Sequence, residues 1–140
     1  MSWNRWSAVS ALSMLLLVLA ALPLRAEEII ANGHFYDAHH PTSGRAIVVS
    51  RDDGGYELRF EDFASDSGPD IFIYLSSAKN PTTDSAVKNA RNANLGPRKA
   101  LRGNQSYRLP KGVSPEHFNS VIIWCRTYSV MFGAAALERQ

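Results

Sequence analysis

The stretch "SVIIWCRTYSVMFGAAAL" (Ser120–Leu137) holds two apolar runs, "SVIIWCR" and "YSVMFGAAAL", in close succession. Both are short and rich in β-branched or small residues, which reads as two strands rather than one helix. Side chains alternate along a strand, so Val121, Ile123 and Cys125 share one face, while Ser120, Ile122, Trp124 and Arg126 share the other. Cys125 is the single cysteine of the chain, and Trp124 is the one tryptophan beyond the N-terminal leader. A cysteine flanked on its face by valine and isoleucine has the setting of a small core hydrophobe. Met131 lies on the second run, and strand pairing is expected to bring this soft sulfur within reach of Cys125. Both residue types ligate haem iron or copper. Two readings of Cys125 therefore stand: a packed core thiol and a redox centre.

Strand periodicity continues outward from this pair. "RAIVVS" (Arg45–Ser50) is β-branched, "YELRF" (Tyr56–Phe60) alternates, and the "RDDGG" between them is turn material, so a hairpin is predicted. "DIFIYLS" (Asp70–Ser76) is continuously apolar, as in a strand buried on both faces, and "QSYRL" (Gln105–Leu109) reads as a shorter strand. "SPEHF" predicts one helical turn with Ser114 as N-cap and Pro115 at the first helical position. "SAVKNARNANL" (Ser85–Leu95) is a weak helix former and reads mostly as loop, within a long polar stretch, 76–103, expected to be irregular. Short strands separated by Gly, Pro, Asp and Asn turns imply a single all-β domain, an antiparallel β-sandwich.

At the N-terminus, "MSWNRWS" precedes the apolar run "AVSALSMLLLVLAAL" (Ala8–Leu22) and a small residue, Ala26, followed by two acids. That is the pattern of a secretory signal peptide, and the run of about 15 residues is short of the ~20 that span a bilayer. The expected product is residues 27–140, exported to the periplasm or secreted, with no membrane anchor after cleavage. Removing Arg5 and Arg25 leaves 13 basic side chains against 13 acidic ones. A neutral product has lost the charge that supports nucleic-acid binding. The charges are nonetheless segregated, with seven acids between Asp52 and Asp70 and seven bases between Lys88 and Lys111. They read either as two solvated faces attracting each other or as a dipolar surface orienting a partner.

The chemistry-bearing patterns are few. Neither HExxH, CxxC, CxxCH, GxSxG nor a phosphate-cradling glycine loop occurs, and the acidic "EDFASDSGPD" lacks the spacing and terminal glutamate of a calcium loop. No acid/base constellation of a classical enzyme is present, and no metal site is predicted.

Four segments in order, "GHFYDAHHPTSGRAIVV", "LRFEDFASDSGPDIFIYLS", "LGPRKALRGNQSYRLP" and "VIIWCRTYSVMFGAAAL", resemble the DM13 domain family from about Gly33 to Leu137. His40, Gly44, Phe60, Phe63, Gly68, Pro69, Asp70, Leu75, Gly96, Tyr107, Pro110, Trp124 and Cys125 stand at the matching positions. The resemblance implies a β-sandwich, DOMON-like or jelly-roll-like, of extracellular and periplasmic proteins. It also implies an electron-transfer role through the cysteine of "IWC", as a free thiol or as the ligand of a prosthetic group such as haem. Cys125, Met131, His40 and Trp124 are then the redox or cofactor-binding candidates, with His40 as the group that would assist a thiolate. An unidentified redox or binding protein, separate from this chain, is the expected partner. The alternative is a non-catalytic extracytoplasmic interaction domain in which Cys125 and Trp124 are core.

Overall fold

The structure, a computed structural model, describes residues 26–140. The expected leader, all but its last residue Ala26, lies outside the described residues. Nine strands follow in chain order: β1 (Ile29–Asp37), β2 (Thr42–Ser50), β3 (Tyr56–Ser65), β4 (Ile71–Ser76), β5 (Asn92–Pro97), β6 (Gln105–Arg108), β7 (Ser120–Cys125), β8 (Val130–Ala136) and β9 (Glu138–Arg139). One short helix, α1 (Asp84–Lys88), precedes β5, and a single 3₁₀ turn (Pro115–His117) precedes β7.

All pairings are antiparallel, in the order β5-β4-β7-β8-β1-β2-β3-β6, with β9 added beside β1. The sheet folds over itself into a sandwich, and β1 belongs to both halves. Its first part pairs with β2 (His34 opposite Arg45) and its last three residues pair with β8 (Phe35 opposite Ala135). Gly33 lies where β1 changes partner, and a Cβ there would stand 1.8 Å from the Ala136 carbonyl oxygen. Only glycine permits that backbone approach.

The predicted hairpin forms as β2 and β3, with Ser50 opposite Tyr56. The apolar "IFIYLS" is β4, central between β5 and β7. Between the two halves lies the main core, which includes Phe35, Leu58, Phe60, Phe63, Ile73, Val121, Ile123, Cys125 and Phe132. Phe35, Phe60 and Phe63 meet pairwise with ring centroids 4.8–5.2 Å apart, within the range of favourable aromatic contacts.

Three elements, α1, β5 and β9, depart from the sequence reading. The stretch expected to be irregular contains β5 and α1. Asn94 Oδ1 accepts the Gly96 amide at 2.8 Å, and Thr83 Oγ1 caps α1 by accepting the Ala86 amide at 3.2 Å. Side-chain capping thus organises a segment whose asparagines argue for loop. The predicted helical turn forms with Ser114 at the N-cap position and Pro115 first, as a 3₁₀ turn without a side-chain cap hydrogen bond. β9, which no apolar run announces, extends the chain beyond β8 and pairs with β1. Among the described residues no helix is long and apolar enough to cross a membrane.

Candidate functional site

All six residues of β7 are buried, including its last, Cys125, which has no exposed surface. Cys125 faces the main core, and its neighbour Trp124 faces outward into a second cluster with Val87, Ile122, Met131 and Ala134, roofed by α1. The expected alternation along β7 therefore holds. Cys125 is nevertheless at the rim, because β7 ends there and β4 begins opposite it at Ile71.

The exposed segment Asp66–Asp70, which includes Gly68-Pro69-Asp70, closes over this rim. The Cys125 thiol donates to the Pro69 carbonyl at 3.2 Å. Asp70 adopts a left-handed backbone (φ 56°). Its carbonyl accepts the Arg126 amide at 3.1 Å, and its carboxylate accepts the guanidinium at 3.1 and 3.2 Å. The same guanidinium lies 3.6 Å from the centroid of the Phe72 ring, a cation–π contact.

From the other side, Arg98 Nη1 donates to the Asp66 carbonyl at 2.7 Å. Burial lowers the Arg98 pKa. Among the described residues Arg98 makes no ion pair. Its backbone amide bonds the Ile71 carbonyl at 2.9 Å, which places it in the same cross-strand row as Ile71 and Cys125.

Phe132 supports the segment from beneath. It is the extra residue of a β-bulge, since Ile123 pairs with Gly133 while Trp124 pairs with Met131. A bulge re-aims a side chain, and here the ring turns under Gly68, where a Cβ would lie 2.5 Å from it. The ring is also stacked by His40, with centroids 3.8 Å apart. His40 Nδ1 shares a hydrogen bond of 3.1 Å with Asp66 Oδ2. Cys125, Arg126, Arg98, Phe132 and His40 thus each hold one part of a single lip.

Of the candidates named from sequence, the lip brings His40 and Cys125 into one structure without a hydrogen bond between them among the described residues. Met131 and Trp124 are elsewhere. Met131 pairs with Trp124, and both side chains lie on the face opposite Cys125. The expectation that strand pairing brings Met131 to Cys125 is therefore corrected. The hairpin turn sets Cys125 opposite Val130, and that register sends Met131 outward. Met131 is held there by its amide, which donates to Asp84 Oδ1 at 2.7 Å. Trp124 stacks on Tyr74 at 6.2 Å.

These placements do not fit a haem. The thiol is sealed and its hydrogen committed, the thioether is across the sheet, and the His40 ring is packed between Phe132 and Asp66. Among the described residues no group of three His, Cys, Asp or Glu side chains forms a metal site.

Arg98, Asp66, Arg126 and Phe132 are not among the candidates the sequence offers, and Gly68, Pro69 and Asp70 enter there as positions that match the family resemblance. The signal for Arg126 was its adjacency to Cys125. Nothing local in sequence marks Arg98 or Phe132, whose roles depend on register.

Fold and site together define a class: an antiparallel β-sandwich that carries one thiol beneath a clasped Gly-Pro-Asp lip. The chain belongs to the DM13 family, whose model, described as electron transfer DM13, matches residues 34–137. No curated protein and no solved structure matches the chain.

Proposed function

We propose that the chain is an exported redox module of the electron-transfer DM13 family in which Cys125 works as a free thiol and the lip governs access to it. The observation that carries this reading is the construction of the cover. Residues 66–70 are themselves exposed, yet one of their carbonyls accepts the thiol hydrogen. The sulfur is thus one chain segment away from solvent rather than deep in the sandwich.

With the lip closed the thiol is inert, because burial opposes the thiolate, which is the nucleophile. With the lip displaced, the thiol releases its proton to water and the thiolate attacks a disulfide of a partner protein. A bond forms between Cys125 Sγ and one partner sulfur as the partner's S–S bond breaks, and the second partner sulfur leaves as a thiolate. An oxidising compartment supplies such partners, in keeping with the leader-like N-terminus.

The full burial of Cys125 favours a second reading, an interaction domain in which the thiol only fills the core. A small aromatic disulfide reagent separates the two. The native protein is expected to release one equivalent of aromatic thiolate per chain, reversibly with reductant. Release only after denaturation would leave the interaction domain. Export is tested by the intact mass of protein recovered from outside the cytoplasm. A chain starting at Glu27 is expected, and a mass retaining residues 1–26 would contradict cleavage.

A further inference from the structure

At the end of the sandwich away from the lip, an open cleft of about 850 Å³ lies between the β2–β3 turn and the loop that follows β6. Its floor is apolar: Tyr56, Leu109 and Val113 line it and also pack on the main core. Three charged residues line it, Asp53, Arg108 and Lys111.

The charges around the cleft follow an order. From the segment before β1, over β3 and the β2–β3 turn, to the end of β6 runs a chain of alternating sign: Glu27–Arg59, Arg59–Glu57, Glu57–Arg51, Arg51–Asp53 and Asp53–Arg108. Each acid in it is engaged by a base on either side or, for Glu27 at its start, by Arg59 alone. Asp53 also accepts the Gly55 amide at 3.0 Å, and that bond is the leading cause of its lowered pKa. The chain ends on a cation, Arg108, at the cleft. Lys111, exposed beside it, makes no ion pair among the described residues. Two cations, Arg108 and Lys111, thus line the cleft against one acid, Asp53.

We infer that this cleft is a binding site for a small carboxylate with an apolar body of aromatic size. The carboxylate would continue the alternation at Arg108 and Lys111 while the body covers Tyr56, Leu109 and Val113. A volume in the range of small-ligand pockets, an apolar floor and a few convergent polar groups are the ordinary features of such a site. The surplus charge is positive, because Asp53 already neutralises one of the two cations. The site shares no residue with the lip, so its fate is independent of the redox reading.

The test follows amide chemical shifts of the folded chain as cinnamate is added, with neutral cinnamyl alcohol as the matched probe. Cinnamate is expected to give saturable shifts at Gly54, Gly55, Gly112 and Val113, and to bind about two- to fivefold more tightly than the alcohol, as for an exposed ion pair. Lys111→Gln, a surface change that spares the fold, is expected to bring cinnamate down toward the alcohol. Absence of saturable shifts in the cleft would overturn the inference. So would equal binding of the two probes, or an affinity that Lys111→Gln leaves unchanged.

Discussion

The two faces of β7 are built from neighbouring residues and do different work. Inward, Val121, Ile123 and Cys125 close the core between the halves of the sandwich. Outward, Ile122 and Trp124 meet Met131, Ala134 and the buried Val87 of α1. Both faces are buried, so burial alone does not distinguish Cys125 from Trp124. What distinguishes them is the cover. Trp124 is roofed by a capped helix and a stacked tyrosine, whereas Cys125 is roofed by an exposed lip held at separate points by Arg126, Arg98, Phe132 and His40. On the proposed reading, a thiol under a clasp of side chains is reached without melting the sheet, whereas an indole under packed apolar groups is not.

The most severe change to this contrast is truncation of either face. Trp124→Ala is expected to cost about 3–5 kcal/mol and Ile123→Ala about 2–5 kcal/mol in urea unfolding. An outer-face cost below about 1 kcal/mol would show that the second cluster is not a true core. Cys125→Ser is milder, at about 1 kcal/mol. Serine loses sulfur contacts but retains a hydrogen for the Pro69 carbonyl, so the larger penalty of an unpaired buried hydroxyl does not apply. A cost above about 3 kcal/mol would mean that the lip does not satisfy the hydroxyl.

The same contrast shows what was legible in the sequence. Alternation placed Cys125 inward and Trp124 outward because periodicity is a local property. The runs that became β2, β3, β4, β7 and β8 were legible as short alternating, β-branched or continuously apolar segments. β1 did not, because Asn32 and Gly33 interrupt "IIANGHFYD" at the place where the strand changes partner. β5, "NANLGP", is concealed by the residues that favour turns. The position of Met131 depended on the turn Arg126–Ser129, where Ser129 has φ 53° and fixes the pairing of Cys125 with Val130. The bulge at Phe132 then rebuilt the lip from below. Register and bulges are set by tertiary contacts, and no periodicity announces them.

Smaller effects probe the cover alone. Asp70→Asn removes the ionic clasp on Arg126. Because both groups are largely exposed, stability is expected to fall by less than about 1 kcal/mol, while thiol reaction of the native protein quickens severalfold. An unchanged reaction rate would remove Asp70 from the lip's latch.

On the outer face, Tyr36 donates to the Pro81 carbonyl at 2.7 Å, and burial pushes its pKa from 10.0 up to about 12. A folded pKa above the unfolded one means that the unfolded chain loses its proton first. The contribution is therefore complete below pH 10 and is lost as pH rises through about 12. Tyr36→Phe should remove that part of the alkaline loss, and an ultraviolet titration in which every tyrosine ionises near pH 10 would contradict it.

The central claim, that Cys125 is guarded by a local lip and not by the whole fold, is tested most directly by the rate of thiol labelling across sub-denaturing urea concentrations. Local opening exposes little surface, so the rate is expected to stay nearly flat with urea until the unfolding transition begins, and Asp70→Asn should raise the flat portion. A rate that climbs from the lowest urea concentration with the slope of global unfolding would contradict it, and would make Cys125 a core residue released only when the sandwich comes apart.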